Sequence, residues 1–107
     1  MARVGFVMRL KPGNEAIYSQ KHDEIWPEMV ETLHGYGIRN YSIFRHGELL
    51  FAYFEYIGED YTADMQKMAA DPKTQEWWTI TDPMQTPLED HKPDAWWTEI
   101  KEVFHID

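Results

Sequence analysis

The chain has 107 residues, is 43% hydrophobic and contains no cysteine, which predicts one domain over residues 1–107, with a packed core and neither disulfides nor a thiol nucleophile. Ten basic against nineteen acidic residues give a net charge of −9, which repels phosphate backbones and anionic lipids and so argues against nucleic-acid and membrane partners. The sequence offers no apolar run long enough to span a membrane and no secretory-signal layout at its N-terminus, so a cytoplasmic location is expected.

The first predicted element is a strand over residues 3–11, because its apolar and polar residues alternate as in a half-buried strand. A helix over residues 14–35 follows, with Asn14 as its predicted N-cap. Pro27 lies inside this helix, lacks a backbone donor and disfavours helical geometry at the preceding residue. We therefore expect a kink or break near residues 23–27.

Two strands are predicted next, over residues 38–45 and 49–57, joined by a turn at His46 and Gly47. Both faces of this hairpin carry apolar or aromatic side chains, so both should be covered. Helices would cover one face, and a ligand pocket, a partner subunit or both would cover the other.

Strict alternation in the first strand of the hairpin places Tyr41 and Ile43 on one face, with Ile38 and Phe44 on the other. We expect a second subunit or the C-terminal strand to shield the face that carries Tyr41 and Ile43.

The second half of the chain predicts helices over residues 59–70 and 72–79, a long proline-rich loop over 82–95 and a last strand over 99–106. The resulting order, β-α-β-β-α-β, predicts an α+β fold of the ferredoxin-like type, with one antiparallel sheet and helices on one face.

Three side chains of the first helix share one side, because Tyr18, His22 and Trp26 follow one another at intervals of four residues. A phenol, an imidazole and an indole together can bind a polyol and move a proton, and the ordinary imidazole pKa of about 6.5 lies near neutrality. A histidine among aromatic residues is more often packed or solvated, so the spacing alone leaves its role open.

Two tryptophan pairs stand out, at Trp77–Trp78 and at Trp96–Trp97. Adjacent helical residues point about 100° apart, so one member of a pair can enter the core while the other lines a pocket. An indole face packs well on the C–H face of a sugar ring. Core packing explains the first pair about as well, and a loop clamp or a subunit contact explains the second.

Metal and phosphate chemistry find little support in the sequence. The five histidines show no two-histidine ligand spacing on one element, and no glycine-rich phosphate loop occurs. We expect neither a metal nor a cofactor.

Several longer strings carry a family resemblance. They are the opening at residues 3–13, Y-x3-H-x3-W-P at 18–27, G-I-R-N-Y-S-I-F at 37–44, Q-E-W-W at 75–78 and V-F-H at 103–105. On these residues the sequence resembles the L-rhamnose mutarotase family over most of its length. Residues 82–90 depart from the Asn-Pro-Asp-x-Ser-Pro stretch that is usual in the family, and the Trp96–Trp97 pair is added.

The resemblance implies a fold of the dimeric α/β-barrel type and a homodimer. It implies a cofactor-free enzyme that interconverts the α and β anomers of a 6-deoxyhexose, with L-rhamnose the expected sugar and L-fucose not separable from it. His22 would be the acid/base residue. Its placement beside Tyr18 and near the expected helix break favours a role in donating to the ring oxygen and retrieving that proton, while Tyr18, Tyr41 or an ordered water would act at the anomeric hydroxyl. The implied sugar contacts are Tyr18, Tyr41, Trp77 and Trp78, and Trp26 is a further candidate for the pocket wall.

Two other functions fit the same features. A cofactor-independent monooxygenase of the dimeric α/β-barrel type would share the fold class and an aromatic pocket but would consume oxygen. A non-catalytic sugar-binding module would use the aromatic residues for binding alone.

Overall fold

A computed structural model describes residues 1–89 and 97–107 of the chain. The described elements, in chain order, are β1 (Ala2–Leu10), α1 (Glu15–Asp23), α2 (Pro27–Gly35), β2 (Ile38–His46), β3 (Leu49–Tyr56), α3 (Tyr61–Ala70), α4 (Pro72–Thr81), a 3₁₀ turn (Asp82–Met84), β4 (Gln85–Thr86) and β5 (Thr98–Ile100).

The strands form one antiparallel sheet in the order β2-β3-β1-β4. β5 pairs with β1 over Gly5–Val7, and β4 pairs with β1 at Arg9 and Leu10. The four helices occur in pairs, one pair after β1 and one pair after β3. This arrangement confirms the predicted ferredoxin-like α+β fold.

The chain breaks between α1 and α2, where a single interrupted helix was predicted. Pro27 is the first residue of α2, and Trp26 before it is extended, with φ −67° and ψ 137°. Proline fits the first helical turn because that position needs no intrahelical donor, whereas it excludes helical geometry from the residue that precedes it. The predicted break is confirmed, and it separates two helices of nine residues each.

Asn14 occupies the N-cap position of α1, but its side chain does not cap the helix. Its amide Nδ2 instead donates to the backbone carbonyl of Lys11, at 3.1 Å. The position was predicted correctly and the capping hydrogen bond was not, because the side chain turns back onto the Lys11–Gly13 turn.

A β-bulge interrupts β2. Arg39 pairs with Glu55 and Ser42 with Tyr53, so the path from Arg39 to Ser42 has one residue more than the opposing path. Asn40 at the bulge has φ +50°, a conformation that asparagine tolerates better than most residues. A bulge of one residue reverses the alternation of side chains beyond it.

The bulge overturns the predicted faces of β2. Ile38 pairs with Tyr56 and Ile43 pairs with Ala52, and both partners are buried on the helix-facing side of β3. Ile38 and Ile43 therefore share the helix-facing side, and Tyr41 joins them. The predictions that Tyr41 and Ile43 lie opposite Ile38, and that a subunit or the C-terminal strand shields them, are wrong because alternation does not reveal a bulge.

The C-terminal strand is shorter than predicted. β5 ends at Ile100, and residues 101–107 belong to no helix or strand. The side chain of Glu102 nevertheless meets Arg3 on β1, with 3.0 Å between Oε1 and Nε. The predicted loop over 82–95 contains the 3₁₀ turn and β4 in its first part, while residues 90–96 lie outside the described residues.

Two clusters of buried side chains lie on the helix-facing side of the sheet. One is formed by Met8, Leu10, Tyr18, Leu50 and Met84, and the other by Val4, Ile38, Phe54 and Tyr56. Between the two clusters, the helix-facing side of β3 carries only the small side chain of Ala52, which is 5% exposed. This position leaves room for a cavity over the middle of the sheet.

Over residues 1–89 and 97–107, no helix combines the length and the apolar character that crossing a membrane requires.

Candidate active site

A cavity of about 910 Å³ lies between the sheet and the helices. Its volume falls in the range of small-molecule sites, roughly 300–1,000 Å³. Its wall includes four of the residues that the sequence proposed, namely Tyr18, His22, Trp77 and Trp78, together with Tyr41 from the bulge of β2. Sequence reasoning therefore named five residues that the fold brings to one cavity.

His22 is held by its own helix. Its ring lies on that of Tyr18 one turn earlier, with 4.2 Å between the ring centroids. Its Nδ1 is 3.0 Å from the backbone carbonyl oxygen of Tyr18. A carbonyl oxygen only accepts, so Nδ1 carries a hydrogen and donates it. In the neutral ring, Nε2 is then the nitrogen with the free lone pair.

The surroundings of His22 favour the neutral imidazole. Burial lowers its pKa below the usual 6.5, and the hydrogen bond to the Tyr18 carbonyl and the charge of Asp23 oppose this effect without reversing it. Because the pKa is lowered, the ring is neutral at pH 7. His22 therefore presents an unprotonated Nε2 that can accept a proton.

Trp77 packs against His22 from α4. Its ring meets the imidazole edge-on, with centroids 5.4 Å apart and planes at 79°. The residue is 6% exposed and lines the cavity, so it serves both the core and the cavity wall. Trp78 is half-buried and also lines the cavity.

Trp26 does not lie in the cavity wall, contrary to its prediction as a candidate pocket contact. Its ring packs edge-on against Trp77, with 5.2 Å between centroids, and the Nζ of Lys73 lies 5.4 Å from its centroid. The extended backbone before Pro27 takes Trp26 out of the helical spacing that aligned it with His22. Trp26 therefore supports Trp77.

Tyr41 comes to the cavity through the bulge in β2. Its ring lies 5.5 Å from that of Phe54. The residue as a whole is 42% exposed, but its hydroxyl end is surrounded by protein, and this burial raises the pKa of the phenol to about 12. Tyr41 is neutral at pH 7 and can donate a hydrogen bond.

Tyr18 is the buried residue of α1, at 4% exposure. Burial, reinforced by the nearby phenol of Tyr41, raises its pKa well above the usual value of 10. Its hydroxyl oxygen accepts a hydrogen bond from Nε2 of Gln85, at 3.3 Å. Tyr18 therefore also stays protonated at pH 7.

Three further residues lie at or near the cavity, of which the sequence singled out only Trp97, as part of the Trp96–Trp97 pair. Trp97 lines it and packs on the cluster that contains Tyr18. Thr74 lines it with a hydroxyl that is buried and lacks a hydrogen-bond partner among the described residues. Gln85 contacts Tyr18 from β4. The double tryptophan was a signal for Trp97, while its neighbour Trp96 lies outside the described residues, and nothing in the sequence singled out Thr74 or Gln85.

In residues 1–89 and 97–107, histidine and acidic side chains form no group of three that could hold a metal ion. The polar groups of the cavity wall include a neutral imidazole, two neutral phenols and tryptophan side chains, together with the side chains of Asp23, Arg39 and Arg45.

A cavity with a neutral imidazole and two neutral phenols in its wall has the groups that an acid/base enzyme needs to move a proton on a small polar substrate. A family model described as L-rhamnose mutarotase matches residues 3–106. The chain belongs to the L-rhamnose mutarotase family.

Individual relatives agree with the family model. An L-rhamnose mutarotase of Listeria monocytogenes is 41% identical, with 99% of each chain covered, and one of Oceanobacillus iheyensis is 38% identical, with 100% of each chain covered. The crystal structure of an L-rhamnose mutarotase from Formosa agariphila superimposes with a TM-score of 0.80 at 27% identity, covering 100% of both chains.

Solved structures of lower identity share the fold alone. They include the tetracenomycin F2 cyclase of Streptomyces glaucescens, at 19% identity, TM-score 0.69 and 100% coverage of both chains. An antibiotic biosynthesis monooxygenase matches at 15% identity and TM-score 0.59, with 96% of this chain and 99% of the other covered. The fold therefore accommodates several chemistries, and the site must decide among them.

Proposed function

We propose that this protein is an isomerase that interconverts the α and β anomers of L-rhamnose without a cofactor. One observation carries the proposal: His22 is neutral, with its Nδ1 hydrogen committed to the Tyr18 carbonyl, and lines a cavity walled by Trp77 and Trp78. Mutarotation needs a group that both accepts and returns a proton near neutral pH, and an imidazole does both.

The chemistry starts from the hemiacetal form of the sugar. Nε2 of His22 takes the proton of the anomeric hydroxyl as the C1–O1 bond becomes a carbonyl and the bond from C1 to the ring oxygen breaks. The resulting imidazolium then donates that proton to the ring oxygen. Both oxygens are bonded to C1, so one nitrogen can serve both. The free aldehyde rotates about C1–C2, and the reverse steps close the ring on the other face.

Tyr18 and Tyr41 hold the sugar oxygens in this scheme. Their raised pKa values mean that neither phenol gives up its proton at neutral pH. Each therefore acts by donating a hydrogen bond, which stabilises the oxygen on which negative charge develops. His22 carries the proton, so its predicted role as donor to the ring oxygen is kept in this proposal. His22 also takes the role at the anomeric hydroxyl, which the sequence left open among Tyr18, Tyr41 and an ordered water.

Trp77 and Trp78 would provide the apolar contacts. Indole faces pack on the C–H face of a pyranose, and the indole N–H can donate to a hydroxyl. The sheet side of the cavity is also apolar, with Phe6, Ile43 and Ala52 in its wall. An apolar wall suits a sugar that carries a methyl group in place of a hydroxymethyl group.

A monooxygenase is the weaker alternative, since proteins of that description share only the fold with this chain. One-dimensional saturation-transfer NMR on reducing sugars tests the proposal against both alternatives. We expect catalytic amounts of the protein to transfer saturation between the α and β anomeric protons of L-rhamnose. Binding without transfer would support a sugar-binding module, and oxygen uptake with an aromatic substrate would support the monooxygenase.

We further propose that the protein is a homodimer that pairs through the outer face of the sheet. Phe44, Phe51 and Val7 lie side by side on this face across β2, β3 and β1. Phe44 is 66% exposed and Phe51 38%. Exposed apolar patches of this kind mark subunit contacts.

The C-terminal residues add to this exposed apolar surface, since Val103, Phe104 and Ile106 are all more than 70% exposed. A second copy placed on the outer face would cover them. The cytoplasmic location also remains a proposal, and fractionation of cells that produce an epitope-tagged chain would test it.

A further inference from the structure

We propose that Gln85 is a positioning residue for the mutarotase reaction: its buried side-chain amide donates to Tyr18 Oη and so directs the Tyr18 hydroxyl hydrogen into the sugar cavity. This inference rests on the proposed function, because it assigns a task to a residue that the sugar itself need not touch.

The position of Gln85 is fixed by its backbone. β4 pairs antiparallel with β1, where Gln85 lies opposite Leu10. Next to this pair, the Lys11 N–H donates to the Met84 carbonyl at 2.9 Å. Gln85 is 3% exposed, and Met84 and Leu10 belong to the buried cluster that also contains Tyr18. Because its backbone is paired and its side chain is buried, the Gln85 amide has little freedom to form hydrogen bonds with other groups.

The direction of the hydrogen bond follows from which atom of the Gln85 amide faces Tyr18. Nε2 of Gln85 is a donor, and it lies 3.3 Å from Tyr18 Oη. The phenol oxygen thus accepts from the protein side, and its own hydrogen must find an acceptor elsewhere. Tyr18 is 4% exposed and lines the cavity. We therefore expect its hydroxyl hydrogen to be donated to a sugar oxygen bound in the cavity.

A carboxylate in place of the amide would reverse the arrangement. Ionised glutamate has the same length as glutamine but only accepts. The Tyr18 hydroxyl would then donate to residue 85 and would turn away from the sugar. A protonated glutamic acid can donate again, so Gln85→Glu should recover as the pH falls, whereas Gln85→Met lacks a donor at every pH.

The test compares anomer exchange rates of these variants with the native protein from about pH 5 to pH 8. We expect Gln85→Met to lower the rate about three- to ten-fold, the effect of one net neutral hydrogen bond, at all pH values. We expect the ratio of Gln85→Glu to native to rise toward one as the pH falls. The titratable groups beside Tyr18 are His22 on α1 and Tyr41 on β2. Both are present in the native protein, so the ratio to native removes their contribution.

A matched control is Gln75→Glu, the same substitution at an exposed glutamine of α4 whose amide donates to the Ala69 carbonyl near the end of α3. It should exchange the anomers at the native rate. A merely structural role for Gln85 would give a ratio that does not change with pH.

A double-mutant cycle covers the case in which Gln85→Glu does not fold. If Gln85 acts through the Tyr18 hydroxyl, then Gln85→Met should have no further effect on the rate in a Tyr18→Phe background. Additive losses in the cycle, or a Gln85→Met rate equal to the native rate, would overturn the inference. A native protein that does not exchange L-rhamnose anomers would instead overturn the proposed function.

Discussion

At the scale of single residues, the proposed catalysis depends on the protonation state of His22. Its Nδ1–H donates to the Tyr18 carbonyl and its pKa is lowered by burial. Helical spacing was enough to place Tyr18 and His22 side by side, since residues four apart face the same way. The lowered pKa was not predictable, because it depends on the burial that Trp77 and the sheet provide from distant parts of the sequence.

The pH dependence of catalysis follows from the lowered pKa. The neutral ring is the working form, so the exchange rate should be on its plateau at pH 7 and should fall with a midpoint below 6.5, as Nε2 becomes protonated. The groups that face the ring are Tyr18, Trp77 and Asp23, and the charge of Asp23 limits the downward shift. A pH–rate profile, together with an NMR titration of the His22 ring, measures this midpoint.

His105 provides the control for that titration, because it is near the C-terminus and away from the cavity wall. The His105→Gln variant should keep the native pH profile. A midpoint for the native protein clearly above 6.5 would contradict the neutral-imidazole mechanism.

Trp78 should contribute mainly to sugar binding. Its side chain lines the cavity from α4, and the proposed proton transfer passes through His22. We expect Trp78→Ala to raise KM for L-rhamnose about ten-fold while kcat changes less, because stacking acts on the bound sugar in every state. The control is Thr79→Ala at the next position, which is exposed on the same helix. Unchanged KM in Trp78→Ala would exclude the stacking role.

At the scale of secondary-structure elements, the bulge in β2 decides which side chain enters the site. Alternation predicted the strand and its ends within one residue, but it placed Tyr41 on the wrong face. The extra residue between Arg39 and Ser42 shifts the alternation of side chains by one position, which brings Tyr41 to the cavity. A bulge leaves only a weak signal in a sequence. Here the signal is Asn40, a residue type that tolerates the positive φ found in the structure, and it was not recognised.

Deleting Asn40 should remove the bulge and turn Tyr41 or its neighbours to the other face. The deleted chain should still fold, because β2 pairs with β3 on both sides of the bulge, but it should bind L-rhamnose at least ten-fold more weakly. The control, Asn40→Gly, keeps the residue count and the positive φ, and it should bind nearly as well as the native protein. Titration of the sugar followed by NMR measures both. Equal affinities would show that the bulge does not present Tyr41.

The helix break was the best predicted element boundary, because a single proline imposes it locally. The C-terminal end of β5 was the worst predicted. Val103, Phe104 and Ile106 suggested that the strand continues to residue 106, yet residues 101–107 pair with no strand in the described chain. In the proposed dimer, a partner subunit would cover or pair with these residues. The single chain has no such contact, which is a physical reason why sequence and structure differ there.

At the scale of the whole molecule, the fold class was predictable because element order and the antiparallel hairpin leave few topologies. The clustering of Trp97 and Gln85 with α1 could not be predicted from the sequence, because it brings together residues that are more than 60 positions apart in the chain.

The outer face of the sheet should join two copies of the chain. We expect sedimentation velocity at micromolar concentration to give the mass of a dimer. Phe44→Asp should shift it to a monomer, because a charge would be buried in the interface beside Phe51 of the same chain. Ile17→Asp, at an exposed apolar residue on the helical side, should remain a dimer. A native monomer, or a dimer that survives Phe44→Asp, would contradict this arrangement.

The most direct test of the account is the exchange of saturation between the α and β anomeric protons of L-rhamnose with native protein and with His22→Gln. Glutamine retains much of the size and polarity of histidine but cannot accept and return a proton near neutral pH. We predict that His22→Gln binds the sugar, keeps its fold by circular dichroism, and loses about 10²- to 10⁴-fold in exchange rate. A folded His22→Gln variant that exchanges the anomers at the native rate would contradict the account.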